Sequence, residues 1–265
     1  MTNPKIEIIE HPLSPYAQKL KIALNEKRVP YSVRTPDAIG SGNTGAEFQK
    51  MSPRGEVPVM IVDGRSLFDS SIILEFIEER FPEPALLPTD PFARAEARTI
   101  EEVCDTHYEA INWGLSEINN FKRAQGELAE RMIGGAGEQI SRLNAWLEGK
   151  LGGQDYFGGN RIGWGDICAV PFVQGSSGFG FAPPEDSPLG EWLARCRQHP
   201  SIAPVFKAAK DAVVAMASVA KIVEAGQFKR QYRDHRLEWM IRTGGFEVVQ
   251  KGLEADNIRF NSEPV

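Results

Sequence analysis

Residues 14–24 read Ser-Pro-Tyr-Ala-Gln-Lys-Leu-Lys-Ile-Ala-Leu. A serine hydroxyl followed by proline is a strong helix start: the side chain caps free N–H groups and proline fits the first helical position. Ala17, Leu20 and Leu24 then recur at helical spacing, which puts Lys19, Lys21, Glu26 and Lys27 on the wet side. Before this helix, Ile6, Ile8 and Ile9 suggest a strand that ends in the turn His11-Pro12-Leu13-Ser14-Pro15. After it, Tyr31–Thr35 reads as a second strand and Gly40–Gly45 as a polar, glycine-rich loop. Val57–Val62 reads as a third strand. Asp63-Gly64 makes a hairpin turn and Ser66–Phe68 pairs back. Ser70 caps a helix carrying Ile73, Phe76 and Ile77, which Pro82 stops.

The order is β-α-β followed by β-β-α, which predicts a compact α/β unit over residues 1–82. Prolines 82, 84, 88 and 91 mark an interdomain linker, placed at 83–92. Strand signals then vanish. Helix faces are read from Ile100, Val103, His107 and Ile111, and from Ile140, Leu143, Leu147 and Leu151. A third is read from Leu189, Trp192, Leu193 and Cys196, and a long fourth from Ala209, Val213, Met216, Ala220 and Val223. Residues 93–225 are therefore expected to be all helical, with a helical extension over 226–265. In that extension Arg230, Arg233, His235 and Arg236 mix with Asp234 and Glu238. It reads either as a packed cover or as a lid over a pocket.

Composition narrows the function classes. The chain has 265 residues, with 30 Lys+Arg against 36 Asp+Glu and a net charge of −6. The pI near 5.4 and mixed charge signs argue against a nucleic-acid partner. No apolar run approaches the roughly 20 residues of a membrane span. Cys104, Cys168 and Cys196 are too few and too scattered for a disulfide framework or zinc knuckle, and a cytoplasmic setting is expected. The four histidines lack metal-ligand spacing, so no metal is expected.

Three points within the α/β unit carry chemistry. Ser14 stands at the positive end of a helix, where an anion is stabilised. A bound thiolate gains most there, since a free thiol of pKa about 8.5 is mostly protonated at neutral pH. Ser14 also reads as a plain N-cap. No GxSxG supports a hydrolase nucleophile. Val57-Pro58 lies at a strand start and reads either as an ordinary X-Pro turn before an edge strand or as a cis bond that would offer the Val57 backbone to an extended peptide. Asp69-Ser70 opens a second helix end, suited to a carboxylate beside an ammonium. Together the three form an inventory for a small thiol tripeptide.

The runs S-P-Y-A-Q-K-L-K-I-A-L from Ser14, S-P-R-G-E-V-P-V from Ser52 and F-D-S-S-I-I-L-E-F-I-E-E-R-F-P from Phe68 resemble the cytosolic glutathione transferase superfamily. The resemblance extends over nearly the whole chain. It implies an α/β thioredoxin-like N-terminal domain, an all-α C-terminal domain and a homodimer. It also implies glutathione as co-substrate, transferred to a small electrophilic molecule. By that resemblance Ser14 activates the thiol, Val57 before cis Pro58 pairs with the cysteinyl backbone, and Asp69 and Ser70 hold the γ-glutamyl end. Lys50 and Arg54 are candidates for the glycyl carboxylate. Tyr16, Tyr108 and Trp113 are candidates to line the acceptor pocket, with core packing as the alternative for each. Asp105 either reaches across a dimer to the glutathione amine or lies on a solvated helix face.

The turn at Ser14 looks both omega-like, with serine for cysteine, and tau-like. The absence of any cysteine before Cys104 disfavours mixed-disulfide chemistry. Arg161–Ile167 resembles the family's folding signature, with Gly163 where relatives place Ser or Thr, so Asp166 reads as structural. A glutathione-dependent isomerase or reductase, or a non-catalytic binding protein, remains the alternative on the same fold.

Overall fold

The computed structural model describes residues 4–36, 45–215 and 229–260. β1 (Ile6–Ile9), β2 (Ser32–Arg34), β3 (Val59–Val62) and β4 (Arg65–Phe68) form one sheet in the order β2-β1-β3-β4. β2 runs parallel to β1, whereas β3 is antiparallel to both β1 and β4. Successive strand residues face opposite sides of a sheet. Ile6 and Ile8 accordingly join Met60 under α1 (Pro15–Glu26) and the helix Ser70–Arg80, through Leu20, Ile73 and Ile77. Ile9 and Val59 face the other way and meet Phe48. Phe48 belongs to α2 (Ala46–Met51), a helix the sequence did not announce. Six residues with one buried apolar side chain leave no periodicity to read. The helix Ser70–Arg80 is α3. Of the expected glycine-rich loop, only Gly45 lies within the described residues.

The wet side assigned to α1 is corrected. Lys19, Lys21 and Lys27 are all buried. Each ammonium finds a partner: Lys19 meets Glu101 and Asp105, Lys21 meets Glu10, and Lys27 meets Glu78. A buried charge is tolerated only when paired in this way. α1 is therefore enclosed between the sheet and the helices that follow.

Those helices are α4 (Pro91–Val103), α5 (Glu109–Asn119), α6 (Gly126–Leu151), α7 (Trp164–Gly178), α8 (Pro188–Gln198) and α9 (Ala203–Ala215). α4 and α5 are joined by a π-helical turn, Cys104–Tyr108. This turn corrects the first expected helix face. A π turn inserts one extra residue and advances the apolar stripe. The buried line is Ile100, Cys104, Tyr108, Ile111 and Leu115, and His107 is exposed. Ile140, Leu147, Leu151 and all four of Leu189, Trp192, Leu193 and Cys196 are buried as expected, with Leu143 half-buried. Of the expected fourth face, Val213 is exposed, and Met216, Ala220 and Val223 lie outside the described residues.

The chain then forms β5 (Arg230–Gln231), α10 (Asp234–Arg242), α11 (Phe246–Glu254) and β6 (Ile258–Arg259). β5 and β6 pair as a parallel ribbon, so the extension is not purely helical. Two-residue strands carry no alternation to detect. Among the described residues, no helix is long and apolar enough to cross a membrane.

Asp166 anchors the start of α7. Its carboxylate accepts from the N–H groups of Phe157, Gly158 and Gly163 and from Trp192 Nε1, at 2.7–3.1 Å. Gly163 is required sterically: a Cβ there would stand 3.0 Å from Gly158 Cα and 3.2 Å from the Leu86 carbonyl oxygen. The loop that Asp166 gathers thus occupies the space a capping serine would use. Replacing Asp166 with Ala strands four buried donors, each worth about 1–3 kcal/mol when unpaired. Urea unfolding of Asp166→Ala is expected to show a loss of about 3 kcal/mol or more. A loss below about 1 kcal/mol would contradict this role.

Candidate functional site

A cleft of about 570 Å³ opens between the α/β unit, the continuous helix that runs from α4 through the π turn into α5, and the extension. Its size suits a small-molecule site. Ser14, Tyr16, Val57, Pro58, Asp69, Ser70 and Trp113 all line it. The sequence placed these residues at separate points, and the fold brings them to one cavity.

Ser14 is the N-cap of α1, and its Oγ accepts from the Ala17 N–H at 3.3 Å. The turn is braced on both sides. Ser14 N–H donates to the His11 carbonyl, Leu13 N–H to His11 Nδ1, and Gln18 Nε2 to the Pro12 carbonyl. Burial lowers the His11 pKa, consistent with an imidazole that accepts at Nδ1. The first turn of α1 carries no acidic residue, so nothing on the helix cancels its positive end. Tyr16 also lines the cleft, but its hydroxyl donates to the Asp105 carbonyl at 2.9 Å. Burial further raises the Tyr16 pKa, so its proton stays in place.

The Val57-Pro58 bond is cis. Ser52 Oγ holds the preceding turn closed, donating to the Glu56 carbonyl at 2.9 Å and accepting from the Glu56 N–H at 3.2 Å. Asp69 caps α3 with φ +71°, a left-handed conformation that a non-glycine residue adopts at a cost. Its carboxylate accepts from the Ser71 N–H and from Arg54 Nη2. Burial raises the Asp69 pKa, but Arg54 outweighs it and holds the carboxyl below its ordinary value. Arg54 therefore lies in the cleft as the ionic partner of Asp69. Lys50 is exposed on α2 and is not among the lining residues.

Two expectations are corrected. Tyr108 does not line the cleft. It is fully buried and donates its hydroxyl to Asn144 Oδ1, because the π turn rotates it into the helical core. Asp105 is not on a solvated face. It lines the cleft and pairs with Lys19 Nζ at 2.6 Å, while its Oδ1 has no partner. Burial pushes the Asp105 carboxyl up to about 6, against the pull of Lys19.

The sequence offered the extension as a cover or a lid but assigned none of its residues to the site. Residues from the extension line the cleft, including Lys229, Arg230, Gln231, Arg233 and Arg259. Two carboxylates of α5 hold this wall in place. Glu109 takes Arg236, with Nη2 to Oε1 at 2.6 Å, and His235 Nε2 at 2.9 Å. Glu117 takes Arg123 and Arg230. The Arg230 guanidinium lies 4.2 Å from the Trp113 ring centre and 4.1 Å from that of Phe121. The three-residue spacing of Arg230, Arg233 and Arg236 was visible in the sequence. Its partners, more than a hundred residues away, were not.

The chain matches two family models. Residues 8–85 match the glutathione S-transferase N-terminal domain and residues 120–200 the glutathione S-transferase C-terminal domain. A probable glutathione S-transferase, parC, of Nicotiana tabacum is 30% identical over 77% of this chain and 90% of its own length. This chain belongs to the glutathione S-transferase family. The solved rice glutathione transferase GST1, in complex with glutathione, superposes with a TM-score of 0.68 at 25% identity. That match covers 83% of this chain and 98% of the rice protein. A maleylacetoacetate isomerase of Pseudomonas aeruginosa is 31% identical over 62% of this chain and 78% of its own length.

In this glutathione S-transferase, Glu109 is one of the two α5 carboxylates that hold the extension. Burial works to raise the Glu109 pKa, but Arg236 and His235 outweigh it and hold the carboxyl at about 2. A carboxyl depressed from 4.5 to about 2 adds stability that is complete above pH 4.5 and lost as pH falls toward 2. Glu109→Ala leaves Arg236 buried without its partner, a loss of about 3–5 kcal/mol. The expected readouts are faster proteolytic cleavage within residues 229–260 and a flatter stability profile between pH 4.5 and pH 2. An unchanged slope over that interval would show that Glu109 does not carry the docking.

Proposed function

We propose that the cleft binds glutathione and activates its thiol for attack on a small electrophile. The observation that carries this reading is the convergence of Ser14, Val57 and the Asp69-Ser70 cap on one cavity, with Ser14 at an uncancelled helix N-terminus. In this reading the thiol lies at Ser14, whose hydroxyl donates to the sulfur. The cysteinyl backbone pairs with Val57, and the γ-glutamyl end meets Ser70 and the Asp69–Arg54 pair. The electrophile occupies the side nearer Tyr16 and Trp113.

The chemistry is simple to balance. The thiol proton leaves to solvent and the thiolate forms a carbon–sulfur bond. In a displacement, the leaving group departs with the electron pair of the broken bond. In an addition, solvent returns a proton to the neighbouring carbon. All three cysteines are buried, and none lines the cleft. That supports thiolate activation over a mixed disulfide with the protein. A homodimer in a cytoplasmic setting, acting in detoxification, belongs to the same proposal. Phe92, 84% exposed at the start of α4, offers apolar surface for a second copy to cover.

The isomerase relative supports a second reading on the same site. There the thiolate adds to a conjugated carbon, the adduct rotates, and the thiolate leaves again, so glutathione is not consumed.

Ultraviolet thiolate absorbance of bound glutathione against pH tests the shared first step. The bound thiol is expected to ionise well below the free thiol, and Ser14→Ala is expected to raise its pKa by about one to two units. One unit is about 1.4 kcal/mol of preferential thiolate stabilisation. Glutathione that binds without forming a thiolate at neutral pH would overturn the serine mechanism. Net consumption of glutathione with turnover separates transfer from isomerisation.

A further inference from the structure

The two walls of the cleft differ in chemistry. The α/β side offers backbone groups and helix ends. The wall from residues 229–260 offers side-chain donors in excess of acceptors. Gln231 is only 7% exposed and lines the cleft, and among the described residues neither polar atom of its amide has a partner. A buried amide left unpaired costs about 1–3 kcal/mol, so a ligand that meets it recovers that cost. Arg259 donates to the Arg54 carbonyl at 3.4 Å and feels the charge of Glu56, which also lines the cleft, while its Nε is buried without a hydrogen-bond partner among the described residues. Arg233 lines the same wall and, among the described residues, neither it nor Arg259 is ion-paired to a carboxylate. Arg230 shares Glu117 with Arg123, and its Nη2 is also unpartnered. Of the two guanidiniums that share Glu117, Arg230 lines the cleft. Trp113 of α5 lines the same cleft, its ring centre 4.2 Å from the Arg230 guanidinium and 5.2 Å from that of Arg236.

We propose that the electrophile taken by this transferase carries a carboxylate, received by Gln231, Arg233 and Arg259. The inference rests on the reading of the cleft as a glutathione site, and it names the substrate class of its other half. A guanidinium fork matches a carboxylate in two parallel hydrogen bonds, and the Gln231 amide supplies a third donor. An aromatic or conjugated body would lie along Trp113, with its electrophilic carbon toward Ser14. Neutral apolar electrophiles leave the three donors unmet and are discriminated against.

Isothermal titration of the whole protein with 3-nitrobenzoate and 3-nitrobenzamide, a matched unreactive pair, tests this directly. Each is titrated with and without saturating glutathione. The benzoate is expected to bind at least tenfold tighter, about 1.4 kcal/mol, and to keep that advantage with glutathione present. The gap is expected to shrink below threefold in Arg233→Gln/Arg259→Gln, and in 1 M salt through screening. Gln231→Leu, which keeps both guanidiniums, is expected to lose part of the gap and stands in if the double variant does not fold.

Equal affinities in the wild type, or binding of neither compound, would overturn the proposal. So would a gap that survives the double variant. Loss of the benzoate when glutathione is saturating would assign the arginines to a carboxylate of glutathione itself and overturn it as well. The binding test needs no turnover. A protein that prefers the benzoate but forms no thiolate keeps this anion site and loses the serine mechanism. Thiolate without the preference does the reverse.

Discussion

A single buried ammonium sets the geometry on which the cleft depends. Lys19 is fully enclosed on α1 and meets Glu101 at 3.0 Å and Asp105 at 2.6 Å. Burial alone would lower its pKa, but the two carboxylates outweigh this and raise it. Glu101 also accepts from Ser71 Oγ at 2.7 Å and from Trp164 Nε1 at 2.7 Å. One charge cluster thus joins α1, which presents Ser14, to α3, which presents Ser70, and both to α4 and α7. Buried ion pairs add little net stability over apolar packing of the same volume. Their geometry is strict, however, because each donor and acceptor must be met. That strictness holds two helix N-termini toward one cavity.

The cleft also divides its work between two kinds of polar group. On the α/β side, backbone dipoles and capping hydroxyls are carried by elements with short local signals. On the far side, arginines are positioned by carboxylates of α5. A guanidinium keeps its charge when buried, where an ammonium would shed its proton more readily. Arg230 shows the cost of that burial, which lowers its pKa even with Glu117 in contact. Stacking on Trp113 and Phe121 covers the faces of its guanidinium with rings.

What could be read from the residues follows from range. The Ser14 turn and the Asp63-Gly64 hairpin are each specified by a few adjacent side chains, and each was legible; the cis Val57-Pro58 bond came from the family resemblance, and the cap of α3 is Asp69 where Ser70 was expected. The buried lysines of α1 were not, because a lysine at helical spacing looks solvated until the fold brings its carboxylate, from Glu10 for Lys21, Glu78 for Lys27, and Glu101 and Asp105 for Lys19. The π turn was hidden for a different reason. Its extra residue changes the phase of the helix without any proline or glycine to mark it, so Tyr108 stayed open between pocket and core, the core being where it lies, and His107 was placed on the apolar face. Gly163 was visible as a departure from the family pattern. Its cause, the close approach of Gly158, was a fact of packing alone.

The same ion cluster has a consequence for the order in which the protein is made. Domains tend to fold from the N-terminus as the chain emerges. Here the α/β unit carries Lys19 in its interior, while Glu101 and Asp105 lie beyond it in the chain. Until residue 105 has left the ribosome, α1 must either keep that ammonium in water or leave its seat on the sheet unfilled. The far wall comes later still, since β5 pairs with β6 only once residue 259 is present. A competent cleft therefore cannot form before residue 259 is available, and until then the Ser14 and Asp69-Ser70 helix ends face a site without its far wall.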